Sequence, residues 1–253
     1  MLVPVLRPLT LGEVLDTSLG IYRSLFLPLL IVSVATQAIP LAVGVFVEAA
    51  GGVLQQPALW MLSIGLAVVF GAVGTAASTF LIAETYLGGS LTPQEAFLRS
   101  TPFMGRLIGA SLVVSLAISI GLVLLVVPGI IIGCGLLLTT PAIVLEDIPR
   151  ITVAMGRSWT LSRGFRAKIF AAILVALVLL LVPGIALGAF VSTGAANAAG
   201  ANAAALAAMI VQSVLQILVY PFFYVLTTVL YYDLRVRKEG LDLEMLAIAL
   251  QQG

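Results

Sequence analysis

Six long apolar runs, near 25–47, 58–83, 107–127, 129–145, 168–190 and 204–231, leave this chain almost no choice of solvent. The only charged side chain inside them is Lys168, at the start of the fifth. A helix that crosses a bilayer needs about 20 mostly apolar residues. Charged residues make up 9% of the 253-residue chain and hydrophobic ones 61%, whereas an ordinary soluble domain is about 25% charged. Too few charges remain to clothe these runs in water. The sequence therefore predicts an all-α membrane protein, one polytopic domain over residues 1–253 with about six transmembrane helices. The fourth run is short and carries Pro141, and the fifth is interrupted at Pro183-Gly184. Kinks or re-entrant ends are expected at those two places.

Basic residues orient the runs, because Lys and Arg collect in short cytoplasmic loops while acids matter little. Arg7 and Arg23 precede the first run, and Arg99 and Arg106 separate the second from the third. Arg150 through Lys168 separate the fourth from the fifth, and Arg235, Arg237 and Lys238 follow the sixth. The alternate connections, Glu48 to Pro57, the turn Val127-Pro128-Gly129 and the small-residue stretch Ser192 to Ala203, contain no basic residue. Both termini are expected in the cytoplasm. Met1 to Pro8 lacks the features of a cleaved secretory signal, so the first run is expected to be retained.

Thr10-Leu-Gly-Glu13 has the form of a capping box, in which a hydroxyl and a carboxylate satisfy orphan amides at a helix start. Thr92-Pro-Gln-Glu95 repeats it, with Pro at the first helical position. Each box opens an amphipathic stretch ahead of an apolar run, and Arg150 to Lys168 has the same character without the box. Leu-Val-Val-Pro-Gly-Ile at 125–130 is echoed by Leu-Leu-Val-Pro-Gly-Ile at 180–185. The chain thus reads as three repeated units, 10–86, 92–145 and 150–232, each an interfacial amphipathic helix on the cytoplasmic side followed by a transmembrane hairpin. The competing reading is that Pro-Gly is simply favoured at tight outer turns.

Several residues are candidates for contact with something outside the chain. Arg157, Arg163, Arg166 and Lys168, interleaved with Trp159, form the densest basic cluster, suited to anionic lipid headgroups or a protein partner. The plainer reading is that they fix topology and anchor the interface. Glu84, Tyr86 and Asp233 form a candidate polar site at the inner membrane boundary, since an acid near hydrocarbon is a functional hypothesis by default. Glu146-Asp147 offers paired carboxylates, but neighbours on a helix point about 100° apart and do not converge unaided. Asn197 and Asn202 lie in the expected outer loop and are candidates to line an entrance.

Other chemistry is thinly supplied. There is no histidine, the usual neutral-pH base and metal ligand. Cys134 is the only cysteine, so no intrachain disulfide can form. No phosphate-cradling loop or nucleophile elbow occurs, and no cofactor, metal or catalytic residue is assigned. The net charge of +1, spread over every basic loop, disfavours nucleic acid.

Read together, Arg7-Pro-Leu-Thr-Leu-Gly-Glu-Val-Leu-Asp16, Tyr86-Leu-Gly-Gly89 with Thr92-Pro-Gln-Glu-Ala96, Val127-Pro-Gly129, Ser158-Trp-Thr-Leu-Ser-Arg-Gly-Phe165 and Tyr231-Tyr-Asp-Leu-Arg-Val-Arg-Lys-Glu-Gly240 resemble the bacterial and archaeal membrane-domain family named after glycerophosphoryl diester phosphodiesterase. The resemblance covers nearly the whole chain. It implies a multi-helix module of the bacterial or archaeal cytoplasmic membrane; in some members a separate soluble domain supplies catalysis, and no residues here match that domain's active site. The resulting expectation is a non-catalytic integral inner-membrane protein that organises lipid or a partner protein through its cytoplasmic face. The alternative is a small transporter or lipid-handling permease with its pathway between the units, Glu84 lying near the inner mouth. A carboxylate-based membrane hydrolase ranks third.

Overall fold

The computed structural model describes residues 7–240, apart from the side chains of residues 179–181, 183, 198, 199 and 201–203. Asn202 therefore lies outside the described side chains. Among the described residues there is no strand. A short helix, α1 (Leu11–Ser24), leads into the long α2 (Phe26–Ala49) and α3 (Pro57–Tyr86). The order then recurs. Helix α4 (Pro93–Ser100) and a 3-10 turn precede α5 (Met104–Leu124), whose return arm comes in two pieces, α6 (Val126–Leu136) and α7 (Thr139–Leu145). Finally α8 (Ile151–Ser162) precedes α9 (Arg166–Ala199) and α10 (Ala201–Glu239).

Among the described residues, five helical stretches are long and apolar enough to cross a membrane: Phe26–Ala49, Pro57–Tyr86, Pro93–Leu124, Val126–Leu145 and Ala204–Glu239. The fold is all-α and of the membrane type. Its lipid-facing belt is visible on α2, where Phe26, Ile31, Ile39 and Phe46 are exposed. At about 1.5 Å per residue, Phe26 to Phe46 covers about 30 Å, the thickness of a hydrocarbon core. Helix α9 bears a belt of the same length, from Phe170 through Leu174 and Val178 to Phe190.

Of the two expected breaks, the one in the fourth run forms. Pro141 sits inside α7, and the helix parts one turn before it, at Leu137-Leu138. Proline has no N–H for the carbonyl four residues back, and its ring crowds that carbonyl, so the discontinuity appears at Leu137. By contrast, α9 continues through Pro183-Gly184. The expected outer loop over 192–203 is helical up to Ala199 and again from Ala201, with Gly200 at φ 88° as the reversal. Small residues suggested a loop there, but alanine is the strongest helix former. Val127-Pro128-Gly129 likewise lies in the first turn of α6, and the chain turns at the extended Leu125. A Cβ on Gly129 would stand 2.6 Å from the backbone nitrogen of Leu122, so this glycine lets α5 and α6 touch.

The three return arms meet at one end of the bundle, the end that carries the short helices. Ala77, Leu81 and Ile82 of α3, Ala142 of α7, and Val225, Leu226, Val229 and Leu230 of α10 are all completely buried. Around them the short helices form a collar: α1 packs on α10 and α9, α4 on α3, and α8 on α6 and α7. Both capping boxes form, at Thr10–Glu13 and Thr92–Glu95. Counted from the N-caps Thr10, Thr92 and Arg150, the fourth residue onward is Val14, Ala96 and Ala154, and the eighth is Ser18, Ser100 and Ser158. All six have no exposed surface. Small side chains at these positions let each short helix lie close against a return arm.

Candidate functional site

The charged side chains gather at the collar, where three acids near the ends of the return arms each hold a different unit. Glu84 of α3 accepts from Arg99 of α4 at 2.8 Å. Glu146, just past α7, is held by Nε and Nη2 of Arg157 in α8 at 2.8–3.1 Å and receives the Tyr231 hydroxyl. Asp233 of α10 accepts the backbone N–H of Leu9 at 2.7 Å and Lys168 Nζ at 2.6 Å, with Arg237 behind it at 3.2 Å. The third unit is thereby tied back to the segment that opens the first, closing the collar into a ring. The ties differ in burial. The Asp233 side chain is 0% exposed, whereas Glu84 and Arg99 are 35% and 52% exposed.

Of the basic cluster, Arg157 and Lys168 are committed inside the protein. Arg157 also pairs with Glu239, and that bond holds its guanidinium above the ordinary arginine range. Lys168 additionally donates to the Leu9 carbonyl at 2.6 Å. Trp159 packs its ring over Gly135, where a Cβ would stand 2.4 Å from Trp159 Cε3. On the same ring lies the Arg166 guanidinium, 3.8 Å from a ring centroid. Arg166, half-buried as a residue, has Nε and Nη2 buried with no hydrogen-bond partner among the described residues. Arg163, at the C-cap of α8, is exposed and makes no ion pair among the described residues. Arg163 and Arg166 are thus the members of the cluster with open charge.

Of the polar group at the boundary, Tyr86 stacks on Tyr232, with centroids 5.0 Å apart, between the ends of α3 and α10, and lies close enough to Asp233 to interact with its charge; Glu84 pairs with Arg99, and Asp233 is held by Leu9 and Lys168. Glu146 and Asp147 diverge. Asp147, at φ 47°, turns to Arg106 at 2.9 Å. Among the described residues no cluster of three or more acids or cysteines is placed to hold a metal. At the entrance of α1, Glu13 is pulled down to about 2 by the Thr10 backbone N–H, with Arg7 and the Thr10 hydroxyl adding to it.

Sequence reasoning passed over the serines of the collar. Ser158 Oγ donates to the Gly135 carbonyl at 2.8 Å and accepts the Leu138 N–H at 3.1 Å. One hydroxyl from α8 thus satisfies two backbone groups at the break between α6 and α7, as a non-helical step inside a membrane protein requires. The signal was present as a serine eight residues after each N-cap, but only alignment on the caps reveals it. No family model, curated protein or solved structure matches the chain.

Proposed function

We propose that this chain is a non-catalytic, six-span protein of a bacterial or archaeal cytoplasmic membrane, with both termini inside, whose collar holds anionic lipid headgroups at Arg163 and Arg166. The exposed belt of α9 supports the sixth span. The recurring short–long–long order, with matching buried positions, supports three internal repeats.

The headgroup reading rests on Arg166. It lies four residues before Phe170, about 6 Å outside the α9 belt, at the level of the headgroups. Half of its guanidinium is sealed against protein without an acceptor. A cation desolvated on one edge needs compensation beyond a cation–π contact, and an anion at Nη1 provides it. Trp159 beneath it is the aromatic type favoured at this depth.

The test is native mass spectrometry of the full chain released from nanodiscs of mixed phosphatidylethanolamine and phosphatidylglycerol. Wild type should retain phosphatidylglycerol above its share of the disc. Arg166→Gln should cut that retention by about fivefold, since a surface arginine contributes about 1 kcal/mol toward anionic lipid, and Arg150→Gln should leave it unchanged. Lipid retained in bulk proportion by wild type would overturn the reading; a co-purifying protein in its place would favour the partner role.

A further inference from the structure

Three glutamines lie within the apolar runs of the spans, Gln37 in α2 and Gln212 and Gln216 in α10, and all three line one cavity of about 280 Å³ between α2, α3 and α10. Ser63 and Ser213 line it too. Gln37 lies eleven residues from Phe26, about 16 Å along α2, near the middle of the lipid-facing belt. None of the three carboxamides makes a hydrogen bond among the described residues. Each offers two N–H donors and a carbonyl acceptor. Ser63 and Ser213 give their protons to the Trp60 and Met209 carbonyls at 2.7 and 2.8 Å, leaving hydroxyl oxygens able to accept.

Primary amides left dry in hydrocarbon are strongly disfavoured, so three of them on one cavity call for an occupant that hydrogen-bonds. Among the described residues no ionisable side chain lines the space, so a charged molecule would find no counter-charge from them at this depth. On α2 the lining is built around Pro40, which removes the helix hydrogen bond to the Thr36 carbonyl. Toward the collar the way is blocked by Leu29, Val32, Leu81 and Leu226, all completely buried. Access is therefore from the far end or sideways past Gln212, which is exposed.

We infer that this cavity is a binding site for a small, uncharged solute rich in amide or hydroxyl groups, reached from the side of the membrane opposite the collar. It is independent of the headgroup reading and rests only on α2, α3 and α10 crossing the bilayer. The cavity holds roughly nine water volumes at about 30 Å³ each, so the solute is small. Its place between the first and third units matches the midplane interfaces where transporters of repeated build hold their substrates.

The experiment places single cysteines at Ser213 and Ser63, nearly isosteric changes, and at the lipid-facing Val34 of the full chain in nanodiscs. Native Cys134, buried, serves as the unreactive reference. Modification by N-ethylmaleimide is followed by peptide mass spectrometry. Ser213→Cys and Ser63→Cys should react far faster than Val34→Cys, because a thiol needs water to ionise. Acetamide or glycerol should protect them saturably, slowing modification roughly tenfold at ten times the half-protecting concentration. Gln37→Leu should abolish that protection while the protein still elutes as a single species. Cavity cysteines as inert as Val34→Cys would overturn the inference. So would fast modification that neither solute slows, which would mean a cavity holding water alone, or stronger protection by acetate or choline, which would refute an uncharged ligand.

Discussion

Removing the charge at Asp233 should cost far more than removing it at Glu84, although both acids tie one unit to the next. Asp233→Asn keeps an oxygen for the Leu9 N–H but leaves Lys168 and Arg237 facing one another without an anion. Both already lie against the Leu9 carbonyl. Breaking a buried pair by removing one partner costs about 3–5 kcal/mol. The Lys168 and Arg237 side chains are 16% and 25% exposed and recover some hydration, which places the expected loss near the low end, about 3 kcal/mol. For a protein of this size that lowers the melting temperature by about 6–12 °C. Glu84→Gln breaks a half-exposed pair, for which about 0.2–1 kcal/mol is typical, and should shift it by at most a few degrees. The assay is loss of monodisperse protein on heating in detergent at a fixed scan rate. Hydrogen exchange on peptides covering residues 9–22 should show α1 loosening in Asp233→Asn and unchanged in Glu84→Gln. Adding Lys168→Met to Asp233→Asn should restore about 1 kcal/mol or more relative to additivity. Equal shifts for the two acids, or strict additivity in the cycle, would refute the ring closed by Asp233.

Two further outcomes follow from the collar. Ser158→Ala strips the Leu138 N–H of its partner and leaves the Gly135 carbonyl only the long contact from Ser162 at 3.4 Å, and should destabilise by about 1–3 kcal/mol; Ser18→Ala, at the same offset but with a hydroxyl that has no partner among the described residues, should be neutral or stabilising in the same melting assay. Glu13 should titrate near 2, below the usual 4.3, as followed by carboxyl carbon NMR with Glu13→Gln for assignment. Because its folded value is depressed, its support of α1 is complete above about pH 4.3 and fades as the pH falls toward 2. A midpoint near 4.3 would show that the capping box does not hold in solution.

What could be read from the chain in advance divides by distance along it. The apolar runs and the capping boxes are local signals, written within about 20 residues or fewer. The clasps are not local: Leu9 and Asp233 are 224 residues apart, and Lys168 and Asp233 are 65. The basic cluster at 157–168 looked uniformly available because nothing in its own segment shows that Arg157 and Lys168 have acids waiting on other helices. The kink expected in the run carrying Pro141 falls one turn before the proline, since proline acts on a carbonyl upstream. The stretch 192–203 was misread because small residues serve loops and helices alike, and the apposed α9 and α10 decide between them.

The glutamines sharpen the point. Singly, a carboxamide in an apolar run is unremarkable, and positions 37, 212 and 216 look unrelated. Only the packing of α10 against both α2 and α3 brings them to one cavity. Yet each carries the same physical demand, a hydrogen-bonding partner at membrane depth, and there are few places in one bundle where three such demands can be met together. A search of the apolar runs for their uncharged polar residues, followed by the question of whether the fold unites them, would have raised this cavity before any charged residue at the boundary. In a membrane protein poor in ionisable groups, the neutral polar side chains deserve that first look, because lipid makes them costly wherever they are idle.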